Sequence, residues 1–353
     1  FHPVLVTLAG FALVFVTWLG ALEVIAGTIS IGDYVAFGLY VALLVWPMIS
    51  LGWVVNLYQR GAASMGRLNK ILSTKASVAV PEQPRSLLSA KGKIEFRDVS
   101  FVYPDTERTI LDHVSFIADP GDTIAIVGPT GSGKSTLIAL LARIYDPTGG
   151  TIFFDEIPLT ELDPSEVKAK IGMVPQDTFL FSDTIARNIS LGTDNDLPKP
   201  VHDGTGDITY ATKTAQLHEQ ITEFPNGYET LLGERGINLS GGQKQRATLA
   251  RALARDPLIL VLDDALSAVD THTEMRILDD LQETMSGRTS FIISHRVSAV
   301  MRADKILVLD EGVVVESGIH AELIATDGTY TRLLRRQLLE EDLEAAVVAM
   351  ASA

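Results

Sequence analysis

The sequence predicts a membrane-crossing helical hairpin joined to an α/β domain built on a parallel sheet. Three observations carry this. Two long apolar runs near the start hold no charged residue. Buried-strand patterns then alternate with helical ones. Between one such strand and helix lies a glycine-rich turn of the phosphate-binding kind.

Composition narrows the classes further. The 353-residue chain carries a formal net charge of −15, 46% hydrophobic residues and no cysteine. It is too apolar for a disordered chain. Zero cysteine excludes disulfides, thiol catalysis, thiolate zinc sites and cysteine-ligated clusters. The acidic balance argues against a nucleic-acid partner. The charge is also uneven: residues 1–90 hold five basic and three acidic residues, whereas 91–353 hold 24 basic and 41 acidic ones.

The hairpin comes first. Phe1 to Leu22 and Tyr34 to Tyr58 are free of charge, giving spans of about 1–25 and 34–58. A bilayer core of ~30 Å needs about 20 apolar residues in helix, which both runs supply. Gly27-Thr28-Ile29-Ser30-Ile31-Gly32-Asp33 turns the chain between them. That turn has no Lys or Arg, while Arg60, Arg67, Lys70 and Lys75 follow the second run. The positive-inside rule therefore places the rest of the chain in the cytoplasm, with the lipid bilayer as a partner. A buried hairpin in a soluble protein is disfavoured, because two such runs are rare there. A signal peptide is disfavoured by the missing basic n-region. The first residue is not Met and two spans make a poor channel, so further helices are expected upstream. Trp18, Tyr34, Phe37, Tyr40 and Trp46 face either lipid or a cavity, and Glu23 either faces a cavity or reaches outward.

Residues 73–92 read as a linker, with Pro81, Pro84 and no helical period. Ile94–Val99 alternates apolar and polar, as a half-buried strand does; Phe101–Tyr103 and Val114–Ile117 read as further strands. Thr123–Val127 is continuously apolar, as expected of a strand buried on both faces, and a helix should follow at about Lys134–Ile144. Leu258–Leu262, Ser290–Ser294 and Lys305–Leu309 repeat the buried-strand pattern. Residues from about Asp177 to Arg255 are mostly helical in pattern, interrupted by a solvated Gly/Asp/Pro-rich loop at 192–207. The tail 338–353 reads as a frayed helix.

Gly128-Pro129-Thr130-Gly131-Ser132-Gly133-Lys134-Ser135 fits G-x-x-x-x-G-K-[ST] in the strand–helix context that the motif requires. Gly131 and Gly133 let the backbone curl its N–H groups toward phosphate. Lys134 would reach the β- and γ-phosphates, and the Ser135 hydroxyl would ligate Mg²⁺. Asp263 and Asp264 end a buried strand, where the first would hold the metal, usually through water, and the second would point at the γ-phosphate. Such a pair alone is as often a helix cap or a solvated turn.

Leu239-Ser240-Gly241-Gly242-Gln243 lies just ahead of a helical stretch. With the phosphate loop and the Asp263 strand, in this order and spacing, it resembles the ATP-binding cassette (ABC) family. The resemblance implies that 1–72 is the C-terminal part of a transmembrane domain and that 93–337 is a nucleotide-binding domain. That domain would combine a RecA-like core, an antiparallel β subdomain and a helical subdomain at about 177–255. By the same resemblance Tyr103 stacks on adenine, while Gly128, Gly131, Ser132, Gly133, Lys134, Ser135 and Thr136 hold the nucleotide. Gln176 senses Mg²⁺ and γ-phosphate, and His295 is the switch histidine. Gly233-Glu234-Arg235-Gly236 would contact the coupling loops, and Ser267-Ala268-Val269-Asp270 would cross a dimer interface. Two such domains sandwich two ATPs, each between one phosphate loop and the other domain's Ser240, Gly241, Gly242 and Gln243.

One position departs from the family. Asp264 stands where the catalytic base is usually Glu. It is one methylene shorter, and a misplacement of about 1 Å can cost ~10²-fold in rate. The expectation is a heterodimeric exporter, whose site on this chain binds ATP but turns it over slowly. The alternative is a homodimer with Asp264 as the base. The charge-free spans disfavour a soluble ATPase, and the fusion of membrane and nucleotide parts disfavours an importer subunit. The cargo is unread. Drug export is the expectation by resemblance, and lipid or peptide would suit the sequence equally.

Overall fold

In a computed structural model the chain divides into two compact units, Phe1–Ala76 and Ser77–Ala353. The structure describes residues 2–87, 89–104, 106–191, 193, 207–294 and 300–339.

The first unit is two helices, α1 (His2–Ile25) and α2 (Ile31–Leu72), both long and apolar enough to cross a membrane. No residue of α2 is buried, so its apolar side chains are presented outward, as a lipid-facing surface requires. α2 starts where Ser30 and Asp33 form a capping box: the Ser30 hydroxyl accepts from Asp33 N at 3.1 Å and the Asp33 carboxylate accepts from Ser30 N at 3.1 Å. It runs 42 residues, past the expected end at 58, because 59–72 holds no proline and mainly good helix formers. A Cβ on Gly20 would lie 2.6 Å from the Tyr34 ring, so the ring packs directly on α1 there. Beside that contact, Phe15, Leu19, Glu23, Tyr34 and Phe37 line an apolar pocket of about 290 Å³.

Along the second unit run β1 (Ile94–Val102), β2 (Thr109–Ala118), β3 (Thr123–Val127), α3 (Lys134–Leu141), β4 (Gly149–Phe154), β5 (Ile157–Pro158), α4 (Pro164–Lys170) and β6 (Ile171–Val174). Then come α5 (Ile185–Ile189), α6 (Asp207–Thr214), α7 (His218–Glu223), α8 (Gly241–Ala254), β7 (Ile259–Asp263) and α9 (Thr271–Met285). β8 (Thr289–Ile293), β9 (Lys305–Asp310), β10 (Val313–Gly318) and α10 (His320–Ala325) follow, and 329–339 is again helical.

The strands form two sheets. One is antiparallel in the order β2-β1-β4-β5; the other runs β10-β9-β3-β8-β7-β6 and is parallel except for β10. β3, β7 and β8 are buried along their whole length, which is why their sequences are apolar apart from Thr123, Asp263, Thr289 and Ser290 at their ends. The two short strands read at 94–99 and 101–103 are one strand, β1, bent by register shifts between Phe96 and Val102, with Asp98 at φ 55°. α3 stops at Leu141 rather than near Ile144, because Arg143 turns the chain at φ 49°. The expected loop at 192–207 and tail at 338–353 fall almost wholly outside the described residues.

The stretch expected to be a linker is not loose throughout. Arg143, 1% exposed, donates to the carbonyls of Ala79 at 3.0 Å, Thr160 at 3.4 Å and Leu162, and pairs with Asp146 at 3.2 Å. Arg85 N donates to Glu161 O at 2.9 Å. Glu166 accepts from Ser86 and Leu87, and Asp155 from the backbone of Lys91, Gly92 and Lys93. Held by one β-bridge at Arg85 and by side-chain partners, 79–93 is a strap on the second unit.

Candidate functional site

The parallel sheet positions the site. β8 lies between β3 and β7, with Ile293 opposite Ile126 on one side and Asp263 on the other. The C-terminal ends of β3, β7 and β6 therefore deliver the phosphate loop, the Asp263–Asp264 pair and Gln176 to one edge, where open α/β sheets bind ligands.

The loop is held by close approaches. Gly128 has φ 155°, and a Cβ there would lie 2.0 Å from Leu309 O. Gly133 has φ 103°, and its Cβ would lie 2.9 Å from Ile110 O. Only glycine fits either place. α3 then begins at Gly133 with no side-chain cap, leaving its first N–H groups for an anion. Lys134 is buried and its Nζ donates to the carbonyls of Gly128 and Pro129, both at 2.8 Å. Burial lowers its pKa, while the charges of Asp263 and Asp264 oppose that shift. The buried Ser132 hydroxyl has no partner among the described residues. An uncapped helix, a buried ammonium and an orphaned hydroxyl in one turn fit phosphate oxygens.

A cavity of about 380 Å³ opens over this turn. Tyr103, Gly131, Gly133, Lys134, Ser135, Thr136, Gln176, Asp263 and Asp264, all named from the sequence, line it. Gly128 and Ser132 shape the loop without lining the cavity. Tyr103 donates to or accepts from Thr136 at 3.0 Å and stands edge-on to Phe101 and Tyr145. Asp264 has φ 49° and its N–H donates to Ile293 O at 2.9 Å. Ser135, Asp263 and Gln176 offer oxygen donors only, which suits a hard cation such as Mg²⁺. Among the described residues no cluster of three or more His, Cys, Asp or Glu forms a cage for a metal. Mg²⁺ does not need one, since it keeps waters and takes substrate phosphates as ligands.

Ser240, Gly241, Gly242 and Gln243 do not line this cavity. They open α8, where Ser240 accepts from Gln243 N at 3.3 Å and Gln243 accepts from Ser240 N at 2.9 Å. The Gln243 amide also donates to Gln220 at 3.1 Å, so the group expected to face nucleotide is engaged in this cap. A Cβ on Gly242 would lie 2.8 Å from Ala268 O, and Gln245 bridges Ser267 and Ala268 N at 2.9 and 2.8 Å. The segment 267–270 thus packs directly on the start of α8. His295 lies outside the described residues.

The sequence reading missed Arg108, Ile110, Thr130 and Ile293, which also line the cavity. Arg108 just precedes β2 and Ile110 lies in its first residues; their meeting with the loop depends on how the two sheets pack.

Residues 111–267 match the model of the ABC transporter family. That stretch of the chain is an ABC transporter domain.

The chain is similar to longer proteins over nearly its whole length. It is 41% identical over 339 residues to a probable multidrug resistance ABC transporter ATP-binding/permease protein of Bacillus subtilis, covering 96% of this chain and 57% of that protein. It is 39% identical over 339 residues to an ATP-dependent lipid A-core flippase of Paraburkholderia xenovorans, covering 95% and 55%. Among solved structures, a bacterial Atm1-family ABC exporter with ATP bound superposes with a TM-score of 0.74 at 38% identity, covering 88% of this chain and 53% of that one. The chain therefore spans a little over half the length of the proteins it matches.

Proposed function

We propose that this chain is part of an ABC exporter subunit that binds Mg-ATP between two nucleotide-binding units and uses it to move a substrate out across the cell membrane. The observation that carries the reading is the meeting of Lys134, Ser135, Gln176, Asp263, Asp264 and Tyr103 in one cavity, while Ser240–Gln243 sit apart on a finished helix N-terminus. A phosphate site with that second motif absent from its own wall suits completion by a second subunit. This chain's Ser240, Gly241 and Gly242 would complete the partner's site in return.

In this reading the first N–H groups of α3 and Lys134 hold the phosphates, and Tyr103 supplies the ring for the base. Ser135, Asp263 and Gln176 would hold Mg²⁺, which neutralises phosphate charge when bound. Asp264 orients the attacking water and takes its proton. Its short side chain makes that step slow, so the chain is best paired with a different subunit whose own base is Glu. Closure of the pair on ATP would switch the membrane helices, and hydrolysis would release them. The lack of basic residues in the turn at 27–33 supports a cytoplasmic site. Drug-like cargo is the reading that the multidrug relative supports, and lipid is the alternative that the flippase relative supports.

The test is steady-state Mg-ATPase of the protein in lipid nanodiscs, alone and with a second half-transporter carrying Glu at the base position. The expected result is ATP binding with near-idle turnover alone and brisk turnover in the pair. Brisk, cooperative hydrolysis by the chain alone would instead mean a homodimer with Asp264 as an adequate base. In the paired protein, Asp264→Glu should raise turnover at this site by ~10–100-fold with unchanged ATP affinity; no rise would remove the slow-site explanation.

A further inference from the structure

The cavity has two walls of different origin. Asp263, Asp264 and Gln176 come from the ends of the parallel strands. Tyr103, Arg108 and Ile110 come from the antiparallel sheet and the turn that joins β1 to β2. On this second wall the ring and the loop are close: Tyr103 bonds Thr136 in the first turn of α3, and Ile110 O backs onto Gly133. Arg108 lies between them in the chain, is exposed, and makes no hydrogen bond or ion pair with the described residues.

We propose that Arg108 is a specificity-determining residue whose guanidinium grips the inner phosphates of the nucleotide, the part that ATP and ADP share. This rests on the nucleotide reading of the cavity and names a contact which that reading lacks. Charge requires it first. The lining holds two carboxylates, Asp263 and Asp264, against Lys134, whose ammonium is partly engaged by two loop carbonyls. Without Arg108 the lining is net negative before a strongly anionic ligand enters. With it the lining is neutral. Position decides which phosphates. A nucleotide runs from base to terminal phosphate, and Arg108 shares the wall of the base-stacking ring, whereas both acids and Gln176 hold the terminal end. Chemistry agrees, because a free planar guanidinium fork matches phosphate oxygens two at a time and remains charged at any working pH.

The test measures binding alone. The dissociation constants of fluorescent-displaced adenosine, ADP and ATP are compared for wild type, Arg108→Ala and Arg108→Lys in nanodiscs, with EDTA present to remove metal. Arg108→Ala should weaken ADP and ATP by the same ~10-fold and leave adenosine unchanged. Arg108→Lys should recover part of that loss, and the salt dependence of ADP binding should become shallower in the Ala variant. Weakening of ATP alone would place the group at the terminal phosphate, and equal weakening of adenosine would place it on the base; either overturns the proposal, as does no change. Arg108 is solvent-facing, so the melting temperature should not move. Failure of the wild-type protein to bind ATP or ADP would sink the nucleotide reading itself, a different result from binding that ignores Arg108.

Discussion

Two helices of the second unit begin in glycine-rich turns, and they begin differently. α3 starts at Gly133, with positive φ and no side-chain cap. α8 starts at Ser240, with both halves of a capping box made by Ser240 and Gln243. The first N-terminus leaves its orphan N–H groups to be satisfied from outside. The second satisfies the N–H groups of Ser240 and Gln243 itself and leaves those of Gly241 and Gly242 outside its capping box. One has no side-chain cap of its own; the other carries a capping box already. This is the arrangement expected if the first turn holds an anion in its own subunit and the second is offered, already rigid, to an anion held by another.

The contrast can be broken at α3 first. Lys134→Ala removes the buried ammonium that serves the uncapped end, and should weaken ATP binding by ~10²-fold or more while the fold melts normally. Isothermal titration reads it, and near-normal affinity would mean that the helix terminus alone carries the site. Next comes Gln243→Glu. Glu completes a capping box as well as Gln, so the melting temperature should hold, within about 0.5 kcal/mol in stability. The added charge would stay in the cap but sit at the terminus that the proposed pairing offers to the neighbouring subunit's phosphates, so ATP-driven closure should weaken by ~10–100-fold, measured by cross-linking across the pair. Unchanged closure would place this terminus away from nucleotide. The smallest effect belongs to Ser240→Ala, which should cost about 1 kcal/mol through the lost cap. Chemical denaturation would show it, and no cost would mean that the packing of Gly242 on Ala268 holds α8 in place without the hydroxyl.

The same contrast separates what could be read from the sequence. The phosphate turn was legible because glycine and lysine at fixed spacing followed an unbroken apolar run, and both signals are local. The Leu239–Gln243 motif was legible because it stands just ahead of a helical pattern, a local signal too. β4 and β10 were not. β4 opens with two glycines, and β10 is an edge strand of alternating exposure that pairs back on β9. Arg108 and Ile110 escaped for another reason. They reach the loop only through the packing of two sheets, and no spacing in the chain records it. The strap at 79–93 looked like a linker because its partners, Arg143, Asp155, Glu161 and Glu166, lie tens of residues away.

The orphaned Ser132 hydroxyl carries a consequence of its own. A buried polar group without a partner is a standing penalty of about 1–3 kcal/mol, and a ligand oxygen that accepts from it removes the penalty. Folding and fuel supply then become linked quantities. A ligand present at 100 times its dissociation constant stabilises its receptor by about 2.7 kcal/mol, beyond any contact within the protein. On the proposed nucleotide reading, the resistance of this unit to heat and to proteases should therefore rise with the concentration of nucleotide supplied.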